Sequence, residues 1–240
     1  MNKILRSLDP DNYQRLTPFF RKTPLKARQV LHQPGIPIAD VYFVTEGLIS
    51  VVARTDATSY CEVRSIGREG FVGLPLLLGA QNFPHRRIVQ VGGSALCMSA
   101  DDFCRLKSEL PAFRDALMRY VQAVLTQTAQ SGACNSRHSI QERLARWLLL
   151  AHDRMDGDLI PLTHALLSNL FGVRRASITL ALRTLEEREA ISQLRGCITI
   201  VDRDRLQSLS CDCYRIIAGA YYGLNRTVDS SPLLLPTNPN

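Results

Sequence analysis

The change of pattern at Pro111 constrains the fold of this chain more than any other feature. After it, apolar residues recur at alternating intervals of four and three, which keeps them on one side of a helix. The members of this series are Phe113, Leu117, Tyr120, Val124 and Thr128. We therefore predict one long amphipathic helix. Its apolar edge packs either on its own N-terminal half or on the same helix of a second subunit.

Short runs typical of strands, interrupted by glycine, precede this helix. The runs are VYFVT, LISVVA, CEVRSI, RIVQV and SALCMS. Glu46-Gly47 and Gly92-Gly93 are predicted to form turns between them. Short strands with frequent turns are typical of an antiparallel sandwich or barrel, so we predict an N-terminal antiparallel β-barrel.

A second helical region follows the long helix. Ser139 and Glu142 have the spacing of a capping box, in which each side chain bonds the other residue's free backbone N–H. A new helix is therefore expected there, with a hinge between domains at 135–139. The next predicted elements are helices over 163–171 and 174–188 and strands over 190–193 and 197–201. This order predicts a winged helix-turn-helix.

Positive charge is concentrated on the second of these short helices. The chain has 240 residues and a formal net charge of +7 at pH 7. The only charged residues over 163–185 are Arg174, Arg175 and Arg183. The side chains expected to point outward are Arg175, Ala176, Thr179 and Arg183. Such a face suits the DNA major groove, where arginine bonds guanine O6 and N7, and the alternative is an ordinary solvated helix face.

The predicted barrel contains two characteristic stretches, PGIPIADVYFVTEGLISV and GREGFVGLPLLLG. They are followed by the long helix and by the winged helix over 159–201. This order resembles the cyclic-AMP receptor protein/Fnr (Crp/Fnr) family of transcriptional regulators over nearly the whole chain. The resemblance implies an α+β protein with a double-stranded β-helix barrel, a long dimerisation helix and a C-terminal winged helix-turn-helix. It also implies a homodimer that binds a two-fold operator in double-stranded DNA under control of an effector, and contact with RNA polymerase.

The resemblance also divides the chain. We predict an effector-sensing barrel domain at 1–110, a dimerisation helix and hinge at 111–138, and a winged helix-turn-helix domain at 139–224. A disordered tail is predicted at 225–240, where prolines and turn formers show no periodicity. Seven cysteines, an odd number, and a start without an apolar signal segment predict a reducing cytoplasm. No apolar stretch reaches the roughly 18 residues of a membrane helix, so no membrane partner is expected.

The recognition helix departs from the family's pattern, in which Arg-Glu is followed four residues later by a second arginine. Arg175 matches the first arginine, but Ala176 stands at the glutamate and Leu180 at the second arginine. The operator is therefore expected to differ from that of the best-known member. Arg175 is expected to read a base, and the other residues mainly to contact phosphates. The predicted DNA-binding residues are Arg174, Arg175, Ser177, Thr179, Arg183 and Arg195.

Both helix starts of this motif depart from ordinary capping. Arg174 stands at the usual serine N-cap, and Leu166 stands where a capping-box glutamate would follow Thr163. Each helix is expected to lose a cap worth about 1 kcal/mol, which leaves backbone N–H groups free for solvent or DNA.

The family's cyclic-nucleotide pocket holds the ribose with Phe-x-Gly-Glu and the phosphate with an Arg-Ser/Thr pair. Here Leu74 follows Gly73, so the ribose-binding carboxylate is missing. The arginine region reads His85-Arg86-Arg87, for which two solvated loop arginines are the alternative. The predicted pocket residues are Gly73, Leu74, Arg86, Arg87 and Thr128. We expect an effector other than cyclic AMP, or no small ligand.

No cofactor or metal site is predicted. An N-terminal iron–sulfur cluster is excluded because the first cysteine is Cys61. Cys211-Asp-Cys213 is tighter than a usual zinc pair, and the sequence offers no evident second pair, so two half-buried thiols are expected. The histidines His32, His85 and His138 show no pattern typical of haem ligation.

Two other functional classes are alternatives to a regulator. An enzyme on a small β-barrel would need a histidine and carboxylate cluster, a Gly-x-Ser-x-Gly turn or a P-loop, and none is evident. No catalytic activity is therefore expected. A dimeric protein-interaction or ligand-sensing module that has lost specific DNA binding stays open, because the family's glutamate and second arginine are missing.

Overall fold

The computed structural model describes residues 1–57 and 59–223, and its N-terminal half is built on a six-stranded antiparallel sheet. The strands are β1 (Arg21–Leu25), β2 (Val30–His32), β3 (Asp40–Arg54), β4 (Tyr60–Ile66), β5 (Phe71–Val72) and β6 (Arg86–Ser99). They pair in the order β1-β6-β3-β4, with β2 added to β6 and β5 to β3. The predicted antiparallel β domain is confirmed, and among the described residues its ladders follow an open path rather than a closed ring.

Strands β3 and β6 are longer than predicted. Glu46-Gly47 lies inside β3 and Gly92-Gly93 inside β6, where shifts of register mark bulges. Gly47 has a φ of 95°, and a Cβ on Gly93 would overlap the backbone of Glu46. The prediction of turns at these glycines was wrong. Without side chains they let the paired backbones approach and bend inside continuous strands.

Short helical elements precede, connect and follow these strands. They are α1 (Lys3–Arg6), α2 (Pro10–Leu16), the 3-10 turn Thr17–Phe19, α3 (Leu74–Leu77) and α4 (Ala100–Glu109). Ser99 caps α4 by accepting the backbone N–H of Asp102 at 3.1 Å. Proline is tolerated in the first turn of a helix, so Pro111 begins the long helix α5 (Pro111–Arg137) directly after α4.

The apolar edge of α5 packs on its own sheet. Phe113 and Tyr120 are fully buried. The Phe113 ring lies 6.0 Å from that of Phe43, and the Tyr120 ring 5.3 Å from that of Phe71. The spacing allowed this edge to pack on the same chain or on a second subunit. In the structure it packs on the β domain of the same chain.

Helix α6 (Ile140–Arg154) begins at the predicted capping box. The Ser139 backbone N–H donates to Glu142 Oε2 at 2.8 Å, and the Glu142 backbone N–H donates to Ser139 Oγ at 3.3 Å. Helix α5 continues to Arg137, so only His138 and Ser139 separate the two helices. The connection is therefore shorter than the predicted hinge.

The C-terminal part forms the predicted winged helix-turn-helix. Its elements are β7 (Leu159–Ile160), α7 (His164–Phe171), α8 (Arg175–Glu187), β8 (Ile191–Leu194), β9 (Cys197–Ile200), α9 (Arg203–Ser208) and α10 (Cys213–Tyr222). Strand β9 pairs with β8 and with β7, and the sequence did not predict strand β7. The tail predicted at 225–240 lies outside the described residues. Over 1–57 and 59–223, no helix combines the length and apolar character needed to cross a membrane.

The two helix starts of the motif differ in capping. Thr163 Oγ1 accepts the Leu166 backbone N–H at 3.2 Å, so the expected loss of a cap on α7 was wrong. A threonine cap needs only its own hydroxyl, not a capping-box glutamate. Arg174 is the N-cap of α8 and makes no capping hydrogen bond, as predicted.

Candidate nucleic-acid interface

Helix α8 buries one face and exposes the other. Ile178, Leu182 and Leu185 are fully buried, and the helix packs on α6 and α7. The exposed side chains of the opposite face are Arg175, Ala176, Thr179, Leu180 and Arg183. The outward orientation predicted for this face is confirmed, and Leu180, 66% exposed, adds an apolar side chain to it.

The exposed arginines of this surface differ in their partners. Arg174, Arg175 and Arg195 make no side-chain hydrogen bond or ion pair within the described parts of the chain. Arg183 Nε donates to Glu187 Oε1 at 2.9 Å. The first three therefore keep all their donors available to a ligand. Arg174 lies at the N-terminus of α8, where uncapped backbone N–H groups also attract anions, and Arg195 lies in the turn between β8 and β9.

A polar network links α8 to the wing. Thr179 Oγ1 lies 3.1 Å from His164 Nδ1, and His164 Nε2 lies 2.8 Å from Gln193 Oε1. Gln193 donates to Glu186 from its backbone N–H at 2.7 Å and from Nε2 at 2.8 Å. Since Gln193 Oε1 only accepts, the network assigns the proton of neutral His164 to Nε2, and Thr179 then donates to Nδ1. No motif in the sequence distinguishes His164 and Gln193, so neither was predicted as a site residue.

The turn between α7 and α8 borders the β domain. A Cβ on Gly172 would lie 3.6 Å from the Cβ of Cys61, and α7 packs on β4. An open groove between them is lined by residues including Tyr60, Phe171 and Arg174. Ser177, in the first turn of α8, is half-buried. The start of α8 therefore lies next to the domain predicted to sense an effector.

Three of the predicted effector residues have different surroundings. Gly73 is buried at the start of α3 with a φ of 139°, and its missing Cβ leaves room for Val41. Leu74 is half-buried at the first position of that helix. Thr128 is exposed, and its hydroxyl donates to the Val124 carbonyl oxygen at 2.8 Å. No hydrogen bond or ion pair in the described ranges joins Thr128 to the other two.

Arg86 and Arg87 belong to strand β6, so the alternative of two solvated loop arginines was wrong. The Arg86 guanidinium lies 5.1 Å from the Tyr60 ring centre. Arg87 is buried, and its Nη1 donates to the His85 carbonyl oxygen at 2.5 Å. Burial, together with the charge of Arg64, lowers the pKa of Arg87 to about 10. Arg64 and Arg87 are thus two buried cations, and neither forms an ion pair within the described residues.

A buried ion pair joins the β domain to the C-terminal half. Arg154 Nε donates to Glu69 Oε1 at 2.8 Å, and both side chains are 3% exposed. Arg154 also bonds Ser65 Oγ at 3.0 Å and Gln127 Oε1 at 3.2 Å, and its guanidinium lies 5.3 Å from the Tyr221 ring centre. Arg154 therefore holds the loop after β4, α5 and α10 together.

A second contact between the halves surrounds Glu62. Its carboxylate accepts hydrogen bonds from Ser50 Oγ and, at 2.5 Å, from Trp147 Nε1. Burial raises the pKa of Glu62 above its usual value of 4.5, against the lowering effect of these bonds and of Arg154 and Arg146. A cavity of about 80 Å³ beside it lies between β4, α5, α6 and α7.

A cluster that was not predicted from the sequence joins distant cysteines. Cys211 and Cys213 lie beside Cys134 and His138 at the end of α5, with all four ligand atoms within 4.8 Å of one another. Spacing along the chain offered one signal, Cys134-x3-His138, which is within the usual range for a metal-ligand pair. The second pair that the sequence argument required is therefore present in the fold.

Comparison with known proteins identifies the C-terminal domain. Residues 142–209 match the family model described as Crp-like helix-turn-helix domain. No curated relative matches the chain.

Most of the chain resembles solved regulator structures in fold. FixK2 of Bradyrhizobium japonicum has a TM-score of 0.68 at 14% identity, over 80% of this chain and 98% of that one. A putative Crp/Fnr regulator of Eubacterium rectale has 0.65 at 15%, over 86% and 96%. The c-di-GMP responsive regulator CLP of Xanthomonas campestris has 0.64 at 17%, over 80% and 99%. The chain therefore contains a Crp-like helix-turn-helix domain and has the overall fold of these solved regulators.

Proposed function

We propose that this protein is a sequence-specific DNA-binding transcriptional regulator that binds a two-fold operator as a homodimer. The observation that carries the proposal is the outer face of α8, which exposes Arg175 without any partner in the described chain. The family gives the fold of a regulator, and this face supplies the chemistry for reading DNA.

Each predicted DNA-binding residue has a role that its surroundings support. Arg175 reads a base edge, since arginine bonds guanine O6 and N7 in a fork. Phosphate contacts are assigned to Arg174, Ser177, Arg183 and Arg195. Thr179, whose hydroxyl donates to His164, accepts a bond or positions the helix rather than donating to a phosphate.

The apolar side chains of the same face add to the recognition. Ala176 and Leu180 are exposed beside Arg175. In the family's pattern these two positions are occupied by the glutamate and by the second arginine. An aliphatic side chain in the major groove contacts the methyl group of thymine, so we assign these two residues to A·T base pairs.

A second face of α5 supports the dimer. Met118 is 46% exposed and Leu125 is 59% exposed, seven residues apart on the side away from the sheet. Val121 and Thr128 lie between and after them at the spacing of a heptad seam. Two copies of α5 that pack through this face would bury both exposed side chains. We expect Leu125→Glu to shift the purified protein to a monomer in sedimentation, while Gln122→Glu on the same helix leaves the dimer intact.

The β domain supports control by an anionic effector other than cyclic AMP. Arg64 and Arg87 are buried without a carboxylate partner in the described residues, and a buried cation favours an anion beside it. Leu74 follows Gly73, so the ribose-binding carboxylate of the family's cyclic-nucleotide pocket is missing. Coupling to DNA passes through Glu62 and Trp147, which join the β domain to α6.

The test is selection of bound fragments from a random double-stranded DNA pool by the purified protein, followed by a salt series on the selected sequence. We expect a palindrome with half-sites about one helical turn apart and affinity that falls steeply with salt. Lack of enrichment both alone and with cell extract would contradict the proposal.

An interaction module without specific DNA binding is the second candidate. The exposure of Leu180, and of Leu194 at 72% on the wing, favours it because apolar side chains also suit a protein partner. Binding to DNA that is weak and independent of sequence in the same selection would support this candidate.

A further inference from the structure

The cysteine cluster at the junction of α5, α6 and α10 has the composition of a metal site. Cys134 lies in the last turn of α5, His138 follows that helix, and Cys211 and Cys213 lie at the start of α10. The three cysteines are buried and His138 is half-buried. Three thiolates and one imidazole form a known ligand set for structural zinc.

The distances within the cluster suit one tetrahedral ion. Cys134 Sγ lies 3.5 Å from Cys211 Sγ, and Cys213 Sγ lies 3.6 Å from His138 Nδ1. Zinc bonds of about 2.3 Å to sulfur and about 2.0 Å to nitrogen put neighbouring ligand atoms about 3.8 Å (S to S) and about 3.5 Å (S to N) apart in a tetrahedron. These two separations are close to these edges, and all four ligand atoms lie within 4.8 Å of one another. A disulfide, with sulfurs about 2.0 Å apart, would use two of the cysteines and leave the other two ligands without a role.

The surroundings provide what a thiolate-bound ion needs. Gln130 Nε2 donates to Cys213 Sγ at 3.1 Å, the kind of outer hydrogen bond that orients a metal-bound thiolate. Arg143 and Arg146 of α6 interact electrostatically with Cys134, and their buried Nε atoms have no partner within the described chain. Zinc with three thiolates and a neutral imidazole carries one net negative charge, which these arginines offset.

We propose that Cys134, His138, Cys211 and Cys213 bind one zinc ion. On binding, the ion replaces the protons of three thiols, so three protons leave as three zinc–sulfur bonds and one zinc–nitrogen bond form. The site joins the end of the long helix and the His138-Ser139 connection to α10. Zinc therefore fastens the connection through which the β domain meets the DNA-binding domain.

The test is a cobalt(II) titration of the full-length protein, kept reduced and freed of metal with a chelator. Cobalt replaces zinc in tetrahedral sites and shows visible bands and thiolate charge-transfer absorption. We expect one cobalt per chain, displaced by one equivalent of zinc. Cys211→Ser should lose these bands, whereas the matched control Cys104→Ser, outside the cluster, should keep them.

Gln130→Ala leaves all four ligands in place and provides a second test. We expect it to weaken zinc binding about 10- to 100-fold, as loss of an outer hydrogen bond does. The proposal is overturned if the reduced wild-type protein takes up no cobalt, or if Cys211→Ser keeps its spectrum. A Cys134–Cys211 disulfide on oxidation, in a protein that binds no cobalt when reduced, would also overturn it. These spectra do not depend on DNA binding.

Discussion

The arginines of α6 and those around α8 are the same residue type in opposite settings. Arg154 is 3% exposed and bonded to Glu69, Ser65 and Gln127. Arg175 is exposed and has no bond within the described residues. Both contribute to the chain's formal net charge of +7, but only the exposed Arg175 is available to a ligand.

The difference shows that position in the fold decides what an arginine does. An unpaired buried charge is costly, and Arg154 is paired with Glu69, so Arg154 is committed to holding the domains together. An exposed arginine is solvated and loses little by changing partners. The arginines with all their donors available to a ligand are therefore the exposed ones that have no partner within the described residues.

Removal of Glu69 should have the largest effect. Glu69→Ala leaves Arg154 buried without its carboxylate, and we expect the free energy of unfolding to fall by about 3–5 kcal/mol. Urea denaturation at neutral pH measures this fall in the free energy of unfolding. The matched control is Asp156→Ala, whose exposed carboxylate pairs with Arg68 and should contribute about 1 kcal/mol or less. Equal losses in the two variants would mean that burial does not distinguish these pairs.

Removal of Arg175 should affect DNA and leave stability nearly unchanged. Arg175→Ala is expected to cost about 1–3 kcal/mol of binding at its preferred base pair, measured by titration on the selected operator and on scrambled DNA. Arg183→Ala should weaken both DNAs alike, because Arg183 is assigned to phosphate. If Arg175→Ala reduced affinity equally on both, its role in reading a base would be wrong.

The charge of Glu62 should make the domain junction sensitive to pH. Burial raises the pKa of this carboxyl in the folded protein above its usual value of 4.5. The contribution of Glu62 to stability is therefore fully present below pH 4.5 and is lost as the pH rises through the raised pKa. Glu62→Gln should remove this part of the pH dependence and give a flatter curve of unfolding free energy against pH. Thermal unfolding of both proteins across that range checks it, and parallel curves would contradict it.

The ion pair of α8 should have the smallest effect. Glu187→Ala frees Arg183, and we expect a loss of about 0.3–0.5 kcal/mol of stability with slightly tighter DNA binding at low salt. Glu109→Ala is the control, since Glu109 forms the equivalent pair with Arg105 in the β domain. It should lose similar stability and leave DNA binding unchanged, as a fluorescence titration can show.

Local patterns in the sequence determine much of this protein's structure. The capping box at Ser139, the outward face of α8 and the wing depend on residues a few positions apart, so spacing predicts them. The glycines of β3 and β6 show the limit of such reasoning. A turn and a bulge use the same residue, and only the pairing of Gly47 with the strand opposite distinguishes them.

Only the tertiary structure decided the contacts between distant residues. Glu69 and Arg154 are 85 positions apart, and Cys134 and Cys211 are 77 apart, so no period or motif connects them. The spacing of the apolar edge of α5 likewise allowed packing on a sheet or on a second helix. In the structure this edge contacts Phe43 and Phe71 of the sheet. The sequence by itself determined which side chains are available at each element. Packing decided which of them meet, because burial in a shared core joins residues that chain spacing keeps apart.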